Sequence, residues 1–215
     1  MKISYAITVC NEFVEIQRLL IFLLEHKREQ DEIVIQMDLS LDDLNTQSED
    51  KKQVFAYLMK HQEQGRIHVV FKPLNNNFAE FKNHLTQHCT GDYVFQIDAD
   101  EIPNEYLIES LPDILKDNPN VDAYVVPRVN TVEGLTEEHI VKWGWNVNEM
   151  KWVNWPDYQW RIWKNKPEIR WKNKVHEVLD GYLTMAQIPA YQDLALYHPK
   201  TIERQVKQNE YYETL

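Results

Sequence analysis

FQIDADEIP, residues 95–103, sets three carboxylates (Asp98, Asp100 and Glu101) into four positions directly behind an apolar run. Carboxylates repel one another and are costly to dehydrate. YVFQI (93–97), the run that leads into them, is short, β-branched and aromatic, which predicts a buried strand. Acids at the end of such a strand either form a solvated loop or hold something positive. Glu101 has a simpler expected role, complementing the dipole of a helix predicted over 104–116.

Working back toward the N-terminus, the same alternation repeats. ISYAITV (3–9) reads as a strand, and Asn11 precedes a segment in which Phe13, Ile16, Leu20, Leu23 and Leu24 recur at helical spacing. A second strand, EIVIQM (32–37), runs into DLSLDD. A helix over about 49–63 has Phe55, Leu58 and Met59 on one side. RIHVVF (66–71) is the third strand, and a helix over about 78–89 leads to the fourth. Strands alternating with helices in this way predict an α/β fold, a Rossmann-like parallel sheet with helices on both faces. Ligands of such sheets bind outside the carboxyl ends of the strands, and Glu12, Asp38 and Asp98 to Asp100 all fall there. Two carboxylates spaced two apart at a strand end can reach one hard cation, and Mg²⁺ or Mn²⁺ is held this way together with substrate phosphates.

The second half changes character. A strand is predicted at DAYVVPRV (122–129), after which helical periodicity weakens. All seven tryptophans lie between Trp143 and Trp171, and the tail TIERQVKQNEYYETL reads as a polar helix. Trp160 and Trp163, three apart, are not expected to share a strand face. Trp143, Trp145, Trp152 and Trp155 are candidates for an acceptor cleft, with burial in a small core the alternative for each.

Bulk properties narrow the function. The 215 residues are enough for one substantial core, and the net charge of −11 with no basic block excludes nucleic-acid binding as the main role. Cys10 and Cys89 have no metal-ligand spacing, which predicts a reduced, cytoplasmic protein. No stretch approaches the ~20 apolar residues of a membrane span, so membrane contact is expected to be peripheral at most. The five glycines form neither GxGxxG nor a P-loop, so a backbone phosphate cradle is not expected.

Four segments, in order, resemble the family-2 glycosyltransferases of the GT-A fold: ISYAITVCNE, EIVIQMDLSLDD, NNNFAEFKNHLTQHCTGDYVFQIDADE and RIWKNKPEIRWKNKVHE. The resemblance covers roughly the first 180 residues. It implies a mixed, mostly parallel sheet with helices on both faces and, here, a Trp-rich C-terminal extension. Residues 1–130 are the implied nucleotide-sugar half, and 131–215 the acceptor-side half of the same domain. The implied activity is metal-dependent, inverting transfer of a hexose from a nucleotide-sugar, a UDP-hexose such as UDP-glucose, to a glycan or lipid-linked acceptor. Carried over by position, Thr8, Glu12, Asp38, Lys82 and Asp98 face the donor, and Asp98, Asp100 and His176 hold Mn²⁺ or Mg²⁺. Glu177 either orients His176 or faces solvent, and His198 is expected to be structural.

The chain departs from the family at Met37-Asp38-Leu39-Ser40, where D-D-G-S is usual, and the catalytic E-D motif has no clear counterpart. Inverting transfer needs a base for the acceptor hydroxyl. Asp157, in NWPDYQWRIW ahead of a predicted RIW strand, is the candidate, with Glu149 in reserve; a solvated turn after Pro156 is the alternative for Asp157. Two other classes share some of these features. A sugar-phosphate nucleotidyltransferase would need a glycine-rich basic loop where ITVCNEF stands. A carbohydrate-binding module would account for the tryptophans but not for D-x-D.

Overall fold

The computed structural model describes residues 1–40 and 46–213; the LDD of DLSLDD lies outside them. Four strands, β1 (Ile3–Val9), β2 (Glu32–Asp38), β3 (His68–Lys72) and β4 (Tyr93–Asp98), run parallel in the order β3-β2-β1-β4. Their near-continuous apolar runs are what burial on both faces requires. Alternate residues go to opposite sides. Tyr5 and Ile7 join Ile35, Phe95 and Ile97 under α1 (Phe13–His26), α2 (Glu49–Glu63) and α4 (Glu105–Asp117), while Ala6, Val34 and Val94 pack under α3 (Phe78–Gln87). Side chains cap three of these helices: Ser48, Asn77 and Asn104 each accept a first-turn backbone N–H. Asn11 does not cap α1, where Glu12 is the N-cap residue.

The second half supplies strands to this same sheet. β6 (Ala123–Glu133) and β7 (Val153–Lys164) form a long hairpin, and β7 inserts between β4 and β6, antiparallel to both. β11 (Leu196–Thr201) runs parallel to β6 and pairs with the short β5 (Ile102–Pro103). β10 (Met185–Gln187) lies along the start of β6, and β8 (Arg170–Lys172) with β9 (Val178–Asp180) make a separate ribbon. The β6–β7 connection carries α5 (Glu137–Trp143), and the chain ends in α6 (Ile202–Glu213). Among the described residues no helix is long and apolar enough to cross a membrane.

Two expectations for β7 need correction. The strand begins well before RIW, so Asp157 sits within it, opposite Arg128, and not in a turn. Trp160 and Trp163 do share a side, because the register slips between Ile162 and Trp160 and leaves Arg161 as an extra residue. Trp163 is buried in the α3-side core, and Trp160 packs against that core.

At the amino end of the sheet, Glu32 accepts hydrogen bonds from Lys2 Nζ (2.6 Å), Ser4 Oγ (2.5 Å) and the Thr90 N–H (2.6 Å). Burial alone would raise its pKa, but these donors outweigh it and hold the carboxyl at about 2. A depressed pKa stabilises the fold above the ordinary carboxylate range, and the gain is lost as pH falls toward 2. The wild type is expected to lose at most about 3 kcal/mol from this group between pH 5 and 2. Urea melts of Glu32→Gln should show this component missing; an unchanged acid dependence would refute it.

Candidate active site

The carboxyl ends of β1, β2 and β4 open into a cleft of about 830 Å³ whose far wall is built from β6, β7 and β11. Thr8, Glu12, Asp38, Lys82, Asp98 and Asp100 all line it. Asp157 and His176 line it too, from the other half of the chain. Glu149 does not. It is an exposed residue in the β6–β7 connection, where Asn148 Oδ1 accepts from the N–H groups of Met150 and Trp152 and closes a local turn. The reserve base is therefore corrected.

Asp98 ends β4 in register with Thr8, whose hydroxyl donates to it at 2.9 Å, and Arg161 donates to its other oxygen at 2.8 Å. Burial would raise this carboxyl, but Arg161, Lys82, the Thr8 hydroxyl and Arg128 hold it well below the usual carboxylate range. Glu101 is not complementing a helix dipole. It is 1% exposed and accepts from Arg161 Nε (3.0 Å), Arg161 Nη2 (2.6 Å), Arg128 Nη1 (2.9 Å) and the Asp98 N–H (3.2 Å). Arg128 then reaches Asp157 Oδ2 through Nη2 at 2.6 Å and Nε at 3.0 Å. The result is a line of alternating charge, Asp98–Arg161–Glu101–Arg128–Asp157, running from one wall of the cleft to the other.

Asp157 Oδ2 also accepts from Asn130 Nδ2 (2.8 Å), while Oδ1, among the described residues, accepts from Gln159 Nε2 alone (2.8 Å). Burial opposes ionisation of Asp157, but Arg128, Asn130 and Gln159 prevail and keep its pKa lowered. The Asn130 contact orients a second group. With its NH₂ committed to a carboxylate, Asn130 presents Oδ1 to His198 Nδ1 at 2.9 Å, so Nδ1 must carry the proton. His198 Nε2 then faces Asp100 Oδ2 at 3.2 Å. Dehydration would raise Asp100, but the hydrogen bond and charge of His198 bring it down to about 2.

The remaining candidates are partly committed. Asp38 Oδ1 accepts from the Leu74 N–H at 2.8 Å, and Lys51 Nζ approaches Oδ2 at 3.4 Å. Glu12 Oε2 accepts from the Cys10 N–H at 2.7 Å and so shapes the loop after β1; burial, with Asp100 nearby, raises its pKa despite that bond. Lys82 pairs with Glu177 and lies 4.6 Å from the centre of the Trp171 ring. Glu177 is thus a partner of Lys82 and not a solvated side chain. His176 sits in a left-handed conformation (φ 53°) in the connection from β8 to β9, and Asn83 of α3 holds β8 itself through both backbone groups of Trp171.

Among the described residues Asp98, Asp100 and His176 do not form a preassembled ligand trio; the one such cluster is His26, Glu105 and Glu109, on α1 and α4. Asp100 and His198 nevertheless offer an oxygen and, once Nε2 gives up the proton it shares with Asp100, an imidazole nitrogen whose ring Asn130 already orients, a donor set that suits Mn²⁺ or Mg²⁺ completed by phosphate oxygens and water. His198 was missed because its partner is 98 residues away in sequence. Arg128 and Arg161 were missed although each stands between apolar strand residues, the signal of a buried and therefore paired charge. Of the tryptophans, Trp163 and Trp171 are buried, and Trp145 alone lines the cleft.

The fold is that of the GT-A glycosyltransferases. The crystal structure of S. aureus TarS 1–349 aligns over 93% of this chain and 60% of its own, with 13% identity and a TM-score of 0.55. S. aureus TarS aligns over 93% of this chain and 37% of its own, with 12% identity and a TM-score of 0.58. TarS 1–349 in complex with UDP-GlcNAc aligns at 13% identity and a TM-score of 0.53, over 93% of this chain and 59% of its own. The chain thus spans about 60% of the TarS fragment, and the likeness is one of fold. No curated protein matches it. Residues 4–194, which hold every strand end that lines the donor side of the cleft, match the model of Glycosyl transferase family 2. The chain belongs to that family.

Proposed function

We propose that the chain is an inverting glycosyltransferase that moves a hexose from a nucleoside diphosphate sugar to a hydroxyl acceptor with the help of a divalent cation. The observation that carries this reading is the Asp100–His198 pair, its imidazole tautomer set by Asn130, at the mouth of the strand that also presents Asp98. A UDP-hexose is the proposed donor; TarS, of similar fold, has been crystallised with UDP-GlcNAc. The proposed setting is cytoplasmic, with no more than peripheral membrane contact.

Thr8, Asp38 and Asp98 are assigned to the nucleoside and diphosphate, at the carboxyl ends of β1, β2 and β4. Asp100 and His198 would hold Mn²⁺ or Mg²⁺, and His176 is kept as a diphosphate contact. When bound, the cation supplies positive charge against the diphosphate as it departs. Lys82 and Lys200, which line the cleft from its two sides, are the lysines placed to add positive charge there. Asp157 is assigned the base. The acceptor oxygen attacks the anomeric carbon from the face opposite the diphosphate, and its proton passes to Asp157 Oδ1. The C–O bond to the diphosphate breaks, and its electron pair leaves with the phosphate. The low pKa of Asp157 keeps it in the base form at any working pH. The acceptor becomes acidic only as its new bond forms, so a weak base placed there suffices.

Calorimetry with UDP-glucose, UDP-GlcNAc and GDP-mannose, with and without Mn²⁺, tests the assignment. Metal-dependent binding of one donor is expected, weakened more than roughly tenfold in Asp100→Ala and in His198→Ala. A folded protein that binds none of them would refute the proposal.

A further inference from the structure

The β6–β7 connection leaves the sheet and returns to it beside Asp157. α5 in this connection has no buried residue. Its ends are nonetheless well fixed, by a capping box between Thr136 and His139 and by Gly144 in the left-handed conformation (φ 65°). The turn at Gly144 brings the Trp145 N–H back to the Ile140 carbonyl at 3.0 Å. Trp145 packs against Trp143 with ring centres 4.7 Å apart, and His139 stacks on Trp143 at 5.1 Å. Asn146 and Asn154 then exchange two hydrogen bonds, from the Asn146 N–H to Asn154 Oδ1 (2.9 Å) and from the Asn154 N–H to the Asn146 carbonyl (2.7 Å). One indole is thereby held in the cleft wall by an aromatic stack behind it and an asparagine clamp beneath it.

Trp145 shares that wall with Asn154, Gln159 and Asp157. A flat aromatic face beside neutral amides and one carboxylate suits a molecule with an apolar flat face and several hydroxyls around its edge. A pyranose ring is such a molecule: its C–H face covers the indole, and its hydroxyls pair with the amides. Asn154 Oδ1 and Gln159 Nε2 are already engaged, which leaves Asn154 Nδ2 and Gln159 Oε1 for a ligand; a lipid chain would satisfy neither, and a lone serine or threonine hydroxyl would engage only one of them. At about 830 Å³ the cleft is near the upper end of the ~300–1,000 Å³ typical of a single-ligand site, which leaves room for an acceptor ring beside the donor.

We propose that Trp145 is the acceptor platform and that the acceptor is a pyranoside, stacked on the indole with one hydroxyl directed at Asp157. This rests on the glycosyltransferase reading above, which the test separates from it. The probes are methyl glucoside, lactose, maltose and cellobiose, added to the UDP- and Mn²⁺-saturated protein and read by tryptophan fluorescence and saturation-transfer NMR. At least one is expected to bind, with binding weakened roughly tenfold in Trp145→Ala and partly restored in Trp145→Phe. In turnover assays the change should fall on the sugar KM far more than on kcat, while calorimetric UDP affinity stays at the wild-type value. Sugar binding equal in wild type and Trp145→Ala would overturn the proposal, as would no bound pyranoside or efficient use of a hydroxyl-peptide or polyprenyl acceptor in its place. Loss of UDP binding from the wild type would instead overturn the glycosyltransferase reading.

Discussion

Replacing Arg161 by methionine is expected to lower folding stability by about 3–5 kcal/mol and to weaken donor binding at the same time. The guanidinium is buried and donates to both Glu101 oxygens and to Asp98. Removing it leaves Glu101, which has no exposed side-chain surface, with Arg128 as its one remaining ion-pair partner among the described residues. A buried charge that loses its partner carries most of its desolvation cost, whereas removing both members of a pair is far milder. Glu101→Gln combined with Arg161→Met should therefore recover roughly half or more of the loss. Because whole domains are stable by only about 5–15 kcal/mol, the single variant should be visibly destabilised in urea at 25 °C. A single variant within about 1 kcal/mol of wild type would mean that water already reaches these groups and that the line of charge is not structural.

Those buried charges also show where the sequence was legible. β1 to β4 could be placed because strands covered on both faces are apolar without interruption, and α1 to α4 because each buries one stripe against them. β7 could not. Pro156, Asp157, Gln159 and Arg161 break its alternation, since its middle lines a cleft and its far end lines a core. The bulge at Arg161 reverses the side on which Trp160 falls, and no spacing rule applied to the intact strand anticipates that. Asp98 and Asp100 were conspicuous because both acids lie within a few residues. Their partners were not, because Arg161 and His198 arrive from distant strands that only the closed sheet brings alongside. Glu101 was misjudged for a related reason. A helix does begin shortly after it, but Asn104 already caps that helix, and the carboxylate turns inward to the arginines.

Asp157→Asn is expected to lower kcat by roughly 10²–10⁴ while leaving UDP affinity near wild type, the range in which a positioned general base contributes. The substitution keeps the shape and an acceptor oxygen for Arg128, so the fold should survive. A residue that only braced Arg128 would instead lose stability and donor affinity along with rate. The pH dependence gives a second and independent readout. Asp157 acts as the ionised form, and burial, which would raise its pKa, is outweighed by Arg128, Asn130 and Gln159. The rate therefore falls as pH drops through a value below the ordinary ~3.9 of an aspartate. Gln159→Leu removes the one donor to Oδ1, weakens the stabilisation of the anion, and should move that acid limb to higher pH. An acid limb in the same place in Gln159→Leu, together with an Asp157→Asn rate within about tenfold of wild type, would remove Asp157 from the proton transfer and leave it as the outer end of the Arg128 brace.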